Sequence, residues 1–119
     1  MEAEPTCIGV PWFIRDDYKK LRRMFTDTEV LPASYKDWRE NAEIGFRDLV
    51  RQGFVVVKVP IDAEVFPDWC RENGLRRDAF ARARFSSVVA AEDCRGRGIM
   101  QAVVQEWAPL FWVTSDTVL

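Results

Sequence analysis

Residues 53–60 read Gly-Phe-Val-Val-Val-Lys-Val-Pro, and they contain the segment that most strongly favours a β-strand. The β-branched side chains suit the pleated backbone of a sheet, and the nearly continuous apolar run predicts that both faces are covered. Gly53 can take the left-handed conformation that ends a preceding helix, and Pro60 ends the strand. The pattern therefore predicts a helix, a tight turn and a strand over residues 54–59.

The segments on both sides of this strand have the periodicity of amphipathic helices. Before it, apolar residues three and four apart predict helices over residues 16–25 and 34–52, and Ser34 is suited to cap the second. After it, one helix is predicted between residues 62 and 74, and a fourth over residues 77–91. We therefore expect an α+β fold in which four or five helices pack on a small sheet.

The two ends of the chain carry weaker signals. Residues 1–10 are expected to form a flexible arm or a short strand near residues 7–10. Within the less readable residues 94–119, residues 98–107 have the apolar spacing of a helix, and residues 110–114 could form a second strand. No repeat or linker divides the 119 residues, so a single domain is expected.

Composition and charge are those of an ordinary folded protein. Hydrophobic residues make up 48% of the chain and charged residues 30%, which is enough apolar material for a core. The 17 basic and 19 acidic residues give a net charge of −2, so nothing attracts the whole chain to nucleic acid or anionic lipid. No apolar run approaches the roughly 20 residues of a membrane-spanning helix, and the first residues, Met-Glu-Ala-Glu-Pro, do not resemble a signal peptide. A cytoplasmic location without membrane contact is expected.

Residue types that often carry catalysis are scarce. The chain contains no histidine, which removes His-based triads, His metal sites and the most frequent general acid or base. The cysteines Cys7, Cys70 and Cys94 are odd in number and widely spaced, which argues against a disulfide framework and against a zinc site. We therefore expect buried, unreactive thiols, no catalytic residue, no metal and no cofactor, and an enzyme is disfavoured.

Several short stretches together resemble a family of short bacterial proteins of unknown function. They are Pro11-Trp12-Phe13, Leu31-Pro32-Ala33-Ser34-Tyr35 with Trp38, the strand and turn of residues 55–62, and Phe66, Trp69-Cys70 and Gly74. The resemblance extends roughly from Pro11 to Ala91. It implies no catalytic residue, since the family carries none to transfer.

Residues 66–85 have the outline of a helix-turn-helix. Cys70 is the small residue of the first helix, and Gly74 lies in the turn. Between Arg71 and Arg97 the chain has seven arginines and four acidic residues, a local basic excess. Arginine is favoured in contacts to phosphates and bases, so a DNA-binding regulator is one alternative function. Its predicted nucleic-acid residues are Arg76, Arg77, Arg82 and Arg84.

Residues 95–100, Arg-Gly-Arg-Gly-Ile-Met, are similar to the pyrophosphate loop of the acyl-CoA N-acyltransferases, whose pattern is R-x-x-G-x-G/A before a helix. Arg95 and Gly98 match this pattern. Met100 departs from it, because it stands where a small residue is needed. A fragment similar to an acyl-CoA-dependent N-acyltransferase is therefore a second alternative function. The competing interpretation of these residues is a glycine-rich turn before the last helix.

The leading expectation is a non-enzymatic protein-interaction domain that forms a homodimer. One strong strand cannot satisfy its own backbone groups, and an apolar strand at an edge is open to pairing with a second subunit. A monomer remains the alternative if the terminal strands close the sheet within one chain. The predicted interface residues are Val55, Val57, Trp107, Phe111 and Trp112.

Overall fold

The computed structural model describes residues 6–96 and 101–102, and over these residues the fold is α+β, as expected. A strand followed by two helices occurs twice along the chain, and a short third strand comes last. In order, the helices and strands are β1 (Thr6–Trp12), α1 (Tyr18–Met24), α2 (Tyr35–Arg51), β2 (Val55–Pro60), α3 (Val65–Glu72), α4 (Ala79–Gly96) and β3 (Gln101–Ala102). Short 3-10 turns at Arg15–Asp17 and Thr28–Val30 precede α1 and α2.

The sheet is parallel, with the strand order β2-β1-β3. The long pairing runs between β1 and β2, from Cys7 opposite Val55 to Trp12 opposite Pro60. β3 adds two residues on the other side of β1, with Gln101 opposite Thr6. The N-terminal segment is therefore the central strand of the sheet, which confirms the strand near residues 7–10 and excludes a flexible arm there.

The C-terminal part differs from its prediction where it can be compared. Gln101 and Ala102 form a strand, so the helix predicted over residues 98–107 is wrong at these two positions. These two residues pair with β1 as a parallel strand instead of making the local hydrogen bonds of a helix. The apolar spacing within the segment does not indicate this distant partner. The strand predicted at residues 110–114 lies outside the described residues.

Helices cover β1 from both sides. On one face α4 lies so close that a Cβ atom added at Gly9 would be 2.2 Å from the Ser86 carbonyl oxygen. On the other face Ile8 and Val10 pack against Leu49 of α2. The glycine thus allows the backbone of a helix to approach the backbone of the central strand.

Aromatic residues form the centre of the larger core cluster. Trp38 is 1% exposed, and its ring centroid lies 4.7 Å from that of Phe13. Farther along the cluster, Phe66 of α3 contacts Phe25 at 6.0 Å and Phe85 of α4 at 5.6 Å. These rings join α1, α2, α3 and α4 into one apolar interior, so the high aromatic content serves the core here.

The local signals for helix ends are confirmed in the structure. The Ser34 side chain accepts a hydrogen bond from the Asp37 N–H at 3.1 Å, which caps α2. Gly53 and Gly74 have positive φ angles of 100° and 66°, as the ends of α2 and α3 require. Asp62 accepts hydrogen bonds from the backbone N–H groups of Glu64 and Val65 at the start of α3, and these bonds lower the pKa of its carboxyl group.

The prediction that both faces of the strong strand are covered is confirmed only in part: Val55 and Val57 pack on one core cluster and Val56 on the other. Val55, Val56 and Val57 are only half-buried, because α4 lies mainly on β1 and reaches β2 incompletely. β2 is an edge strand, and within the described part of the chain no strand lies beyond it. The strongest strand sequence therefore occupies an edge of the sheet and not its centre.

The prediction of free thiols is wrong for two of the three cysteines. Cys7 of β1 and Cys94 of α4 form a disulfide, with their Cα atoms 6.6 Å apart. Cys70 is free and buried. Spacing along the chain could not indicate the bond, because 87 residues separate the partners and the packing of α4 on β1 brings them together.

Candidate functional site

Within residues 6–96 and 101–102, no group of His, Cys, Asp and Glu side chains could hold a metal ion. No helix in this part of the chain is long and apolar enough to cross a membrane.

The free thiol of Cys70 is poorly suited to nucleophilic chemistry. Burial raises the pKa of Cys70, and the nearby positive charge of Arg77 opposes this only in part.

Arg82 has to be removed from the predicted nucleic-acid residues. It is 4% exposed, and its two Nη atoms donate to the two carboxylate oxygens of Asp27 at 2.8 and 3.0 Å. Its guanidinium group also lies 4.4 Å from the centre of the Phe25 ring. Arg82 therefore joins the start of α4 to the loop after α1, and it is not available to a phosphate.

The other three predicted arginines do not form one face. Arg76 and Arg77 are exposed in the linker between α3 and α4, whereas Arg84 is half-buried on α4 itself. A recognition helix presents several residues of one exposed face to the major groove. Nine of the 18 residues of α4 are buried, including Ala83, so this helix belongs to the core.

Arg76 and Arg77 instead border a groove at the corner between α3 and α4, which we call the corner groove. Its volume is about 370 Å³. It is lined by Thr26, Pro67, Cys70, Arg71, Leu75, Arg76 and Arg77. The sequence pattern did not indicate Thr26, because the loop after α1 reaches the corner only in the folded chain.

The β2 edge is the second feature with a clear binding chemistry. The Ile61 N–H donates to the Trp12 carbonyl at 3.1 Å, so Ile61 directs its backbone groups toward β1. Residues two apart in a strand direct these groups to the same side. Val55, Val57 and Val59 therefore bond β1, while Val56 and Lys58 direct an N–H and a carbonyl outward.

The side chain of Lys58 folds back over its own sheet. Its Nζ atom lies 4.2 Å from the ring centre of Trp12 and 4.4 Å from that of Phe46. Glu43 Oε1 is 3.7 Å from the same Nζ atom. The ammonium group is thus held against α2 by two aromatic faces and a carboxylate, and the outward backbone groups beside it stay uncovered by the lysine.

Of the remaining predicted site residues, only Arg95 is among those that the structure describes. Trp107, Phe111 and Trp112 of the predicted interface, and Gly98 of the predicted pyrophosphate loop, lie outside the described residues. Arg95 is exposed in the last turn of α4. Beyond it, Gln101 and Ala102 lie in a strand, whereas the acyltransferase pattern requires a helix.

Comparisons with known proteins do not identify the chain: no family model, no curated protein and no solved structure matched it.

Proposed function

We propose that this protein is a non-enzymatic interaction domain that forms a homodimer through the edge of β2. The observation that carries this function is the outward direction of the Val56 and Lys58 backbone groups, with no described strand beyond them. An edge of this kind is a template for another strand. The half-buried Val55 and Val57 beside it supply apolar area for a subunit contact.

A two-fold axis at Val57 satisfies the edge best. Two β2 strands then run antiparallel, with Val56 of one opposite Lys58 of the other, so the outward groups make two hydrogen-bonded pairs. Shifting the axis to Lys58 would place two lysines opposite each other, which is unfavourable. Pro60 has no N–H to donate, and it lies at the end of this pairing. The result is one sheet that runs through both subunits.

Light scattering tests the assembly directly. Across a dilution series, the mass should reach about twice the 13.8 kDa of one chain. A mass that stays at 13.8 kDa up to high micromolar concentration would contradict the dimer.

The register is tested with Val57→Cys. Opposed residues at the axis form a non-hydrogen-bonded pair with Cα atoms about 4.5 Å apart, which is within the range of a disulfide.

Val50→Cys is the matched control for the register. Val50 is 48% exposed on α2 and is not part of β2. Mild oxidation should produce a covalent dimer of Val57→Cys and leave Val50→Cys a single chain. Cys70 is present in both variants and is buried, so it does not separate them. Equal cross-linking of the two variants would mean random collision and would reject the register.

We further propose that the chain shares its fold with the short bacterial proteins that it resembles. Several of the residues that carry the resemblance, among them Phe13, Trp38, Phe66 and Cys70, are buried in the core. They support a shared fold for short bacterial proteins of this kind. Solving the structure of one such protein would test the proposal, which requires the same strand order around a central β1.

The cytoplasmic location stays a prediction, and the disulfide between Cys7 and Cys94 counts against it, since disulfides persist mainly in oxidising compartments. Alkylation of thiols during extraction, followed by mass spectrometry, distinguishes the two states. Cytoplasmic protein in the reduced state should carry three alkyl groups, whereas the oxidised protein should carry one, at Cys70.

The two alternative functions have less support. Arg76 and Arg77 remain exposed for a DNA-binding regulator, but Arg82 is occupied by Asp27. Steep salt dependence in the binding of duplex DNA would favour that function. Thermal stabilisation by acetyl-CoA would favour the acyltransferase.

A further inference from the structure

We propose that the corner groove is a binding site for a small organic anion, a molecule with one carboxylate or phosphate group attached to an apolar body. Anion binding here does not depend on self-association, since the groove involves neither β2 nor its edge. The shape of the groove, the lack of carboxylate partners for two of its arginines and the fixed position of the linker that carries them all favour such a ligand.

The groove combines an apolar floor with a cationic rim. Pro67, Cys70 and Leu75 provide the floor, and its volume of about 370 Å³ is in the range of small-molecule sites, about 300 to 1,000 Å³. Such sites have mainly apolar walls and a few polar groups that orient the ligand. A ligand with an apolar body and one charged group matches this division better than a bare inorganic ion.

The three arginines of the rim differ in whether a carboxylate already pairs with them. Arg71 is engaged, because its Nη2 atom lies 2.6 Å from Asp68 Oδ1. Within the described residues, neither Arg76 nor Arg77 lies within ion-pair distance of a carboxylate. Two adjacent guanidinium groups are therefore left to attract an anion, and their planar forks suit the paired oxygens of a carboxylate or a phosphate.

The acidic groups beside the corner have other partners. Asp27 binds the guanidinium of Arg82 with both oxygens, and it also accepts from the Ala79 N–H at 2.9 Å. Asp78 accepts from the Ala81 N–H at 3.0 Å, at the start of α4. These bonds hold both carboxylates at the N-terminal end of α4, so the positive charge at the rim is not cancelled by a direct contact.

The linker that carries the two arginines is anchored at both ends. The Thr26 N–H donates to the Arg77 carbonyl at 2.9 Å, and the Leu75 N–H donates to the Cys70 carbonyl at 2.9 Å. Gly74, with its φ of 66°, makes the turn between α3 and the linker. The backbone beneath the rim is thus positioned before a ligand arrives, which reduces the ordering cost of binding.

Titration of the full chain with phenyl phosphate and with benzoate, followed by the NMR shifts of backbone amides, tests the site. Saturable shifts are expected at Thr26 and Leu75 with either probe, and the tighter probe identifies the preferred anionic group. Inorganic phosphate and benzyl alcohol, which each lack one half of the ligand, should bind at least tenfold more weakly. Benzyl alcohol binding as tightly as phenyl phosphate would overturn the assignment.

The variant Arg76→Gln/Arg77→Gln should weaken phenyl phosphate binding at least tenfold, and because both side chains are exposed the fold should persist. The control Lys36→Gln/Arg51→Gln removes the same charge from exposed positions on α2 and should change binding less than twofold. Equal weakening by both variants would mean general attraction of charge and would reject the site. Failure of both probes, with duplex DNA producing the shifts instead, would reject it in favour of nucleic acid.

Discussion

Strands β1 and β2 pair along six residues of each, yet β1 is enclosed and β2 is open. β1 contains Gly9 and Pro11, which strands usually avoid, whereas β2 is rich in valine. Position in the sheet, and not strand propensity, therefore decides how well a strand is covered. Gly9 allows α4 to contact β1. Pro11 lacks an N–H on the side of the strand that faces β3, and β3 pairs with β1 only as far as Cys7, so no hydrogen bond to β3 is lost there.

The largest expected effect comes from breaking the covalent link of β1. Reduction of the Cys7–Cys94 disulfide should lower the free energy of unfolding by about 4 kcal/mol, because it frees a loop closed across 87 residues of sequence. Urea unfolding with and without reductant measures this change. Thiol counting in denaturant should rise from one to three on reduction. An unchanged urea midpoint would show that the bond does not stabilise the fold.

Gly9→Ala should destabilise the protein by about 3 kcal/mol, since overpacking at a closed contact costs about that much. The new Cβ atom would meet the Ser86 carbonyl oxygen at 2.2 Å and the Ala90 Cβ at 2.7 Å. Gly96→Ala is the control, because nothing lies within 4 Å of its added Cβ atom. Equal melting temperatures for the two variants would contradict the close approach of α4 to β1.

Ile8 and Val56 are opposite each other in the register, so truncating each compares the two strands directly. Ile8 is 2% exposed, and Ile8→Ala should cost about 3 kcal/mol. Val56 is half-buried, and Val56→Ala should cost about 1 kcal/mol. Both values come from chemical unfolding at concentrations low enough to keep the chain monomeric. A larger loss at Val56 would reverse the assignment of the edge.

The smallest effect concerns Asp62, in the connection that leaves β2. Its pKa is lowered in the fold by hydrogen bonds from the backbone N–H groups of Val65 and Glu64. A carboxyl with a lowered pKa contributes stability above its unfolded pKa, about 4, and loses this contribution as the pH falls through the folded value. Asp62→Asn should therefore be less stable than the parent at pH 6, and the difference should shrink toward pH 2. A difference independent of pH would contradict this role.

The sequence predicts the local features of this fold well, because they depend on short-range chemistry. Ser34 caps α2 through a neighbour three residues away, and Gly53 ends that helix by its own φ angle. The features that it predicts poorly depend on contacts between distant segments. Asp27 lies 55 residues from Arg82, and no pattern in either segment indicates the pair.

The same limit applies to the candidate sites. Four arginines between residues 76 and 84 look alike in sequence, but burial gives them different roles, and one of the four is used for internal packing. Val55 and Val57 were expected at an interface because of their strand, and the open edge beside them became evident only from the strand order. Apolar sequence indicates that a strand exists, whereas its neighbours determine its exposure.

The central place of β1 also has a consequence for how the chain folds during synthesis. β1 is the first described strand, yet it pairs with Val55 and its neighbours, and Cys94 closes its disulfide. A nascent chain cannot pair β1 with β2 until residues 55–60 have left the ribosome, and it cannot form the disulfide until Cys94 has left it. Contacts so distant in sequence slow folding, because a long loop must close before they stabilise anything. The helices α1 and α2 precede β2 in the chain and can form first, while β1 has to wait for residues 55–60 before its long pairing can form.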